Sequence, residues 1–134
     1  MTHAESPRPT GASPPLAGKV IVVTGGAGLL GCAFVRAIAG SGATAILADV
    51  DVARAESAAA NMTGLAGTVI PMALDITNTE SVDALLTSVV DSHGAVHGLV
   101  NNAYPRNRAY GRSVEQVAYA DFCENVNLHV GGYF

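Results

Sequence analysis

Short apolar runs alternate with amphipathic segments along the chain from residue 16 onward. Residues 19–24 form a continuous β-branched run, which is typical of a parallel strand covered on both faces. Residues 29–41 follow with large apolar side chains at helical spacing. The same alternation predicts further strands at 44–48, 68–73 and 96–100, and further helices at 52–62, 78–91 and 119–134. This order predicts an α/β fold with a doubly wound parallel sheet, truncated after about four strands.

The beginning of the chain differs in composition from everything that follows. Residues 1–15 are rich in proline and contain almost no large apolar side chain. Such a segment cannot bury enough surface to offset the entropy lost on ordering, so we predict a disordered tail. Residues 16–134 then form a single domain. Thr77 and Glu80 are spaced as a capping box at the start of the helix at 78–91.

Composition and charge exclude several classes of function. The chain is 49% hydrophobic and carries a net charge of −4 without basic clusters, so it is globular and not suited to nucleic acid or an anionic membrane surface. No apolar run approaches the roughly 18 residues that span a bilayer, and no secretory signal pattern is present. Cys32 and Cys123 show neither disulfide-framework nor zinc spacing, so we expect no metal and a reducing, cytoplasmic setting.

A glycine-rich loop lies where the first strand becomes the first helix. Gly25, Gly28 and Gly31 permit a tight turn, a close approach to a pyrophosphate and close packing of helix on strand. Because exposed amides and the positive end of the helix dipole meet there, we predict that the backbone around these glycines and Leu30 binds a nucleotide cofactor in a Rossmann fold. The alternative is an ordinary glycine-rich turn. A Walker A site is excluded because no Gly-Lys-Ser/Thr follows.

An acidic residue ends the second strand. Asp49 lies eighteen residues after Gly31, where a carboxylate can accept hydrogen bonds from both adenosine ribose hydroxyls and repel a 2′-phosphate. No basic residue follows immediately, which favours NAD and makes NADP the less favoured cofactor. Asp49 or Asp51 could instead cap the next helix, and Asp51 is the better placed of the two. Domains that bind S-adenosylmethionine use a similar loop and acid, and they remain the competing ligand class.

Further motifs follow in a fixed order along the chain. These are the opening at 16–26, Leu74-Asp75-Ile76 after the third strand, Asn101-Asn102-Ala103 after the fourth, and Asn127 within residues 124–128. In this combination, residues 16–134 resemble the short-chain dehydrogenase/reductase family. Taken without the family, the aspartate and the paired asparagines could be plain turn residues, and Asn127 could be a solvent-facing helix residue.

The resemblance implies a role for each of these positions. Asp75 would contact the adenine amino group, and Ile76 would flank the ring. The asparagines at 101 and 102 would steady the central strands, and the backbone of Ala103 would line the cofactor. Asn127 matches the helix asparagine of the catalytic tetrad, which bends the helix locally and holds a water in a proton relay.

The other catalytic groups of the family have no match in this sequence. Family members use a serine and a tyrosine with a lysine four residues on. Lys19 is the chain's one lysine, and it begins the first strand. We therefore expect an amino-terminal part of an NAD-dependent oxidoreductase, inactive by itself, that acts as part of the full-length protein on a hydroxyl or carbonyl of a small or sugar-linked substrate. The alternative is a catalytically inactive nucleotide-binding or interaction fragment.

Two positions depart from the family's usual pattern. Leu29 stands where the commonest glycine pattern has a glycine, and Tyr104 replaces the glycine that usually follows Asn-Asn-Ala. The stretch from residue 101 to 107 is similar to enzymes of flagellin-sugar (nonulosonate) modification. That similarity implies an anionic sugar nucleotide as substrate, with Arg106 and Arg108 as its natural partners. The family also implies a homo-oligomer for the full-length form.

Overall fold

The computed structural model of the chain describes residues 13–134, so most of the predicted tail at 1–15 lies outside the described residues. The strands are β1 (Val20–Thr24), β2 (Thr44–Asp49), β3 (Thr68–Ala73) and β4 (Gly98–Val100). The α-helices are α1 (Leu29–Gly40), α2 (Val52–Ala60), α3 (Thr79–His93) and α4 (Tyr119–Val126). A single 3₁₀ turn (Val114–Gln116) precedes α4, and a π-helical segment (Asn127–Gly131) continues it.

The four strands form one parallel sheet in the order β3-β2-β1-β4. The chain starts in the middle of the sheet, moves outward through β2 to β3, and returns to the other side of β1 with β4. The predicted fold class, a Rossmann-like doubly wound α/β sheet, is confirmed. Because parallel strands all end at one edge, this topology brings the loops after β1, β2, β3 and β4 together.

Two apolar layers cover the sheet, one on each face. On one face Val23 and Leu47 pack against Val35 of α1 and Ala55 of α2, and all four side chains are fully buried. On the other face Val22 and Ile46 pack against Leu85 and Val89 of α3. The continuous apolar sequence of β1 and β2 is explained by this arrangement, since alternate residues serve opposite layers.

The fourth strand is shorter than the predicted 96–100. The backbone amide of His97 donates to the carbonyl of Val20 at 2.8 Å, as in a strand ladder. The amide of Val20 donates in turn to Nδ1 of the His97 ring at 3.0 Å rather than to a backbone carbonyl. A side chain thus replaces one backbone acceptor at the start of β4, and the regular ladder begins one residue later.

The cap of α3 also differs from the prediction. The helix is capped by Asn78, whose side-chain oxygen accepts from the amides of Glu80 and Ser81. Thr77 does not form the predicted capping box: it lies one residue before the cap, and its hydroxyl donates to the carboxylate of Asp75 at 2.6 Å. Threonine and asparagine both suit a cap, but the hydroxyl of Thr77 is hydrogen-bonded within the turn after β3, and Asn78 caps the helix.

Candidate nucleotide-binding and active site

The loop between β1 and α1 folds back tightly on itself at its glycines. Gly25 has a φ of +63°, and a Cβ there would lie 2.8 Å from the Cα of Ala103. A Cβ at Gly31 would collide with the carbonyl oxygen of Gly25 and lie 2.8 Å from the Cα of Gly26. A Cβ at Gly28 would be 3.2 Å from the same carbonyl oxygen. The spacing of these glycines therefore follows from backbone crowding where the helix begins.

The amino-terminal end of α1 opens into the site. Gly28 is the N-cap of this twelve-residue helix and makes no side-chain cap. The first backbone amides of a helix have no intrahelical acceptor, and here no capping side chain takes one of them. The side chains of Leu29 and Leu30 are exposed, and both residues line the cleft described below. Free amides at a positive helix end form a suitable site for a diphosphate.

The carboxylate of Asp49 lies directly beside this loop. Asp49 is 8% exposed; its Oδ2 accepts from the amide of Ala27 at 3.0 Å, and its Oδ1 accepts from the amide of Asp51 at 3.1 Å. Asp51 caps α2 by accepting from the amide of Arg54, as its position predicted. Since each carboxylate oxygen has two lone pairs, Asp49 keeps acceptor capacity for a ribose while it fixes the glycine loop.

Arg54 is a residue of this site that the sequence interpretation missed. Its Nη2 donates to the carbonyl of Ala27 at 3.2 Å, so Ala27 is bonded by Asp49 at its amide and by Arg54 at its carbonyl. Arg54 also lines the cleft. The sequence did contain a signal for Arg54. A cap at Asp51 places the residue three positions later in the first turn of α2, at the edge of the sheet where the cleft lies.

The turn after β3 brings Asp75 and Ile76 to the same edge. The Asp75 carboxylate accepts from the amide and hydroxyl of Thr77, and the Asp75 amide donates to the hydroxyl of Ser81. Both Asp75 and Ile76 line the cleft. The side chain of Ile76 lies so close to Gly132 that a Cβ there would come within 2.7 Å of it, so this turn also contacts the end of the last helix.

The residues after β4 are tied to the glycine loop through a buried threonine. The hydroxyl of Thr24 accepts from the amides of Asn102 and Ala103, both at 3.0 Å. The side-chain amide of Asn102 donates to the carbonyls of Thr24 at 2.9 Å and Gly25 at 3.0 Å. Asn101 points elsewhere, and its side chain donates to the carbonyl of Tyr133 at 3.4 Å. Asn102 is thus the asparagine that fixes β4 to β1.

These strand ends enclose one cleft of about 820 Å³. Its walls include nine of the residues predicted to bind cofactor: Gly25, Gly28, Leu30, Gly31, Asp49, Asp75, Ile76, Asn102 and Ala103. Uncapped helix amides, a buried carboxylate at the end of β2 and glycines that keep the backbone accessible suit the diphosphate and ribose of a dinucleotide. The residues present therefore fit the diphosphate and the adenosine ribose that a nicotinamide dinucleotide carries.

The sequence model described as short chain dehydrogenase matches residues 19–134. The chain belongs to the short-chain dehydrogenase family. The post-translational flagellin modification protein A of Campylobacter coli is 28% identical over 120 residues, covering 88% of this chain and 47% of that protein. The galactitol 2-dehydrogenase of Agrobacterium fabrum is 40% identical over 85 residues, covering 63% of this chain and 32% of that protein. The chain thus spans about half or less of the length of these curated relatives.

A solved structure supports the same assignment. The crystal structure of NAD⁺-bound xylitol dehydrogenase is 28% identical to this chain and superposes with a TM-score of 0.76. The match covers 88% of this chain and 45% of that one. A nicotinamide cofactor is therefore in keeping with the short-chain dehydrogenase fold.

The predicted catalytic asparagine of the short-chain dehydrogenase family lies where the last helix changes geometry. The helix passes from α to π at Asn127, and a Cβ at Gly131 would lie 3.1 Å from the Oδ1 of Asn127. A π segment widens a helix locally. Asn127 itself is exposed and does not line the cleft, whereas the adjacent Leu128 does. Its role in a proton relay stays a prediction.

Tyr104, which replaces the glycine that usually follows Asn-Asn-Ala in the family, is part of an aromatic cluster at one end of the cleft. The Tyr104 ring stacks on His129 of the π segment, with centroids 4.0 Å apart and planes inclined by 27°. It meets the Tyr110 ring edge to face at 5.7 Å. The Nε2 of His129 is also hydrogen-bonded to the carbonyl of Pro105. The contacts of His129 join residues far apart in the sequence, and no local pattern predicts them.

The Tyr104 phenol is not tuned to act as a base. Hydrogen bonding with the Tyr110 side chain, followed by partial desolvation, raises the pKa of Tyr104 above its ordinary value of 10.0. The positive charge of Arg106 acts in the opposite direction but is the weaker influence. A general base that works near neutral pH needs a lowered tyrosine pKa, so the direction of this shift is the opposite of what that role requires.

The loop after β4 is anchored on α4 by Asn107. Its side-chain amide donates to the carbonyl of Asp121 at 3.0 Å and to the carboxylate of Glu124 at 2.9 Å. Its backbone amide donates to the side chain of Asn125 at 3.3 Å, and its side-chain oxygen accepts from the amide of Ala109. One asparagine therefore fixes the position of the arginine-bearing loop relative to the helix.

Metal-binding clusters and membrane-spanning helices are both absent from the part of the chain that the structure describes. Among residues 13–134, no group of three or more histidine, cysteine or acidic side chains could hold a metal ion. Within the same part of the chain, no helix combines the length and the hydropathy needed to cross a membrane.

Proposed function

We propose that this chain is the NAD-binding part of an oxidoreductase that acts on a hydroxyl or carbonyl group of a small or sugar-linked substrate. The observation that carries the proposal is the Asp49 carboxylate, which is held at the end of β2 next to the glycine loop and on the wall of the cleft. A carboxylate in that position favours the two ribose hydroxyls of NAD.

The choice of NAD over NADP rests on charge. The buried Asp49 carboxylate would repel a 2′-phosphate, since a charge held near a low-dielectric wall is poorly screened. Arg54 lies at the same cleft and would attract that phosphate, but it is exposed to solvent, so its charge is screened more than that of the buried Asp49. The balance of these two groups supports NAD as the preferred cofactor.

The names of the relatives support the substrate class. Galactitol 2-dehydrogenase and xylitol dehydrogenase are named for polyols, and the similarity of residues 101–107 to enzymes of flagellin-sugar modification supports a sugar-linked substrate. When bound, the nicotinamide ring supplies a hydride acceptor or donor. In this scheme Gly25, Gly28 and Gly31 keep the backbone accessible to the diphosphate, and Asp49 orients the adenosine ribose.

The sequence lacks a Tyr-x-x-x-Lys pair, because Lys19 is its one lysine. We propose that the catalytic serine, tyrosine and lysine belong to a longer protein of which this sequence is the amino-terminal part. Asn127 is the one tetrad position matched here. A second candidate, favoured by the same missing pair, is a protein that binds the nucleotide without catalysing hydride transfer.

The setting and assembly of the protein are part of the proposal. Cys32 and Cys123 are both free, which suits a reducing, cytoplasmic compartment. The apolar side chains of α4 and the residues after it include Phe122, Val126 and Val130, all exposed. A homo-oligomer of the full-length form would cover such a surface.

Calorimetric titration of the chain with NAD, NADP and S-adenosylmethionine tests the proposal. We expect binding of NAD, weaker binding of NADP, and none of S-adenosylmethionine. The Asp49→Asn variant should lose the preference for NAD over NADP, because it keeps an acceptor but removes the charge that repels the phosphate. Asp51→Asn keeps a good cap and serves as the matched control. Preferential binding of S-adenosylmethionine, or no nucleotide binding, would refute the assignment.

A further inference from the structure

The guanidinium of Arg106 packs against two neighbouring tyrosine rings next to the cleft. Its central carbon is 5.5 Å from the centroid of Tyr104 and 4.7 Å from the centroid of Tyr110. Both distances are within the range of a cation–π attraction. Tyr104 is itself fixed by its stack on His129. The two rings therefore hold the cationic group of an otherwise flexible side chain in one place.

This contact leaves the hydrogen-bonding capacity of Arg106 unused. A cation–π attraction acts on the charge and consumes none of the five N–H donors of a guanidinium. Within the described part of the chain, Arg106 donates no hydrogen bond that meets ordinary geometry, unlike Arg54 with its bond to Ala27. A positioned guanidinium with unused donors suits bidentate binding of a carboxylate or a phosphate.

The surroundings of Arg106 strengthen its positive field. Arg106 lines the main cleft, and it also lines an adjacent cavity of about 440 Å³ together with Arg108 and Arg112. Two carboxylates also line this second cavity, against three arginines, so the charge of its lining is positive on balance. Glu124 accepts from Asn107, and Asp121 accepts from the amide of Ala118.

We propose that Arg106 is a specificity-determining residue that binds an oxyanion, a carboxylate or a phosphate, carried by the substrate at the Tyr104 end of the cleft. The inference rests on the proposed function and deepens it, since it assigns the substrate an anionic group. Tyr104 and Tyr110 act as positioning residues that hold the guanidinium. Two anion-binding points then flank the cleft: helix amides of α1 for the cofactor diphosphate, and Arg106 for the substrate.

The test is an NMR titration of the NAD-saturated chain. The probes are inorganic phosphate and acetate, and the readout is the side-chain N–H resonances of arginine. We expect saturable shifts of the Arg106 resonance with either probe, with the tighter of the two showing which oxyanion is preferred. Arg106→Gln should weaken binding of the preferred probe by roughly tenfold to a hundredfold, the usual effect of losing hydrogen bonds to a charged group. Arg106→Lys should restore part of it, because lysine keeps the charge without the planar fork.

Matched variants separate this role from a general effect of charge. Arg36→Gln removes an exposed arginine of α1 that lines neither cavity, and it should leave the affinity for the probe within about twofold of wild type. Tyr110→Leu should weaken binding while Arg106 is present, whereas Tyr104→Phe, which keeps the ring, should not. Equal weakening by Arg36→Gln and Arg106→Gln would overturn the proposal.

The same samples distinguish failure of this inference from failure of the proposed function. NAD binding without an oxyanion response at Arg106 overturns the inference alone. A response seen only in chain without NAD, and absent from the NAD-saturated chain, also overturns it, because Arg106 would then belong to the cofactor diphosphate site. Absence of NAD binding refutes the proposed function, whatever the probes do.

Discussion

The two parts of this molecule are stabilised by different means. The sheet region (residues 16–100) has a core of fully buried aliphatic side chains such as Val23, Ile46 and Leu47. The loop–helix region (residues 101–134) has no buried residue on α4 or the π segment. It is positioned by polar bonds, from Asn102 to the glycine loop and from Asn107 to α4. Apolar packing fixes the first region, and directional hydrogen bonds fix the second.

This difference in how the two regions are stabilised corresponds to the ligand that each would contact, the cofactor for the sheet region and the substrate for the loop–helix region. The glycine loop and Asp49 belong to the sheet region, where backbone crowding and burial leave few alternatives for an unchanging cofactor. Tyr104 and Arg106 belong to the loop–helix region, where exposed side chains can be replaced at small cost to the fold. Under the proposed function, the sheet region therefore holds the cofactor rigidly, and the loop–helix region is the part that can adapt to a substrate.

The largest expected effect comes from Gly31→Ala in the sheet region. The new Cβ would collide with the carbonyl of Gly25, which is backbone and cannot rotate away. We expect the free energy of unfolding to fall by about 3 kcal/mol, the upper range for overpacking, with loss of nucleotide binding. Urea denaturation measures the change.

The same helix offers the control, Gly40→Ala. A Cβ at Gly40 would meet nothing within 4 Å. Alanine there should stabilise α1 by roughly 0.5–1 kcal/mol, because it restricts the unfolded chain more than glycine does. If Gly31→Ala and Gly40→Ala had the same effect, the crowding described for the loop would be wrong.

The bond between the two regions is tested by Thr24→Val. The Thr24 hydroxyl, in a residue only 3% exposed, accepts two backbone amides from the chain after β4. Valine keeps the shape but leaves both amides without an acceptor, so we expect a loss of roughly 2–3 kcal/mol. Thr24→Ser keeps the hydroxyl and should cost about 1 kcal/mol for the lost methyl group. Thermal unfolding measures the stabilities of both variants, and equal stabilities would contradict this role of the Thr24 hydroxyl.

A smaller and local effect is expected for Asn107→Ala in the loop–helix region. The substitution removes the anchor between the loop and α4, and should cost about 1 kcal/mol, as for one net hydrogen bond. Hydrogen exchange should accelerate at the amides of Asn107 and Ala109, with little change in the sheet. Asn61→Ala, which removes a side-chain bond to the carbonyl of Ser57 at the end of α2, is the control. Equal acceleration across the sheet would show that the regions are not separately stabilised.

The smallest effect concerns the titration of Tyr104. Its raised pKa means that the folded state holds the phenolic proton more tightly than the unfolded chain does. The resulting stabilisation is present below the ordinary pKa of 10.0 and is lost as the pH rises through the higher pKa of the folded state. Tyrosinate absorbance should show a late component that Tyr104→Phe removes and Tyr119→Phe retains. Persistence of that component in Tyr104→Phe would assign it to another tyrosine.

The sequence predicted the sheet region well because its signals are local. The β-branched run of β1 and the spacing of Gly25, Gly28 and Gly31 are set by residues close together in the chain. The bond from Arg54 to Ala27 joins residues 27 positions apart, and no local pattern encodes it. The stack of Tyr104 on His129 depends on how the π segment turns the histidine. The predicted cap of α3 was wrong because two adjacent residues, Thr77 and Asn78, both suit a cap, and the sequence does not show which of them the helix uses.

The most direct test of the account is an amide-resolved NMR titration of the chain with ADP-ribose, which carries the adenosine and diphosphate but no nicotinamide. We expect the largest shifts at the glycine loop, in particular Gly25, Ala27 and Gly31, and at Asp49 and Asp75, with small shifts along α4. Shifts confined to residues 101–134, or no saturable shift at the glycine loop, would contradict the claim that the sheet region holds the nucleotide.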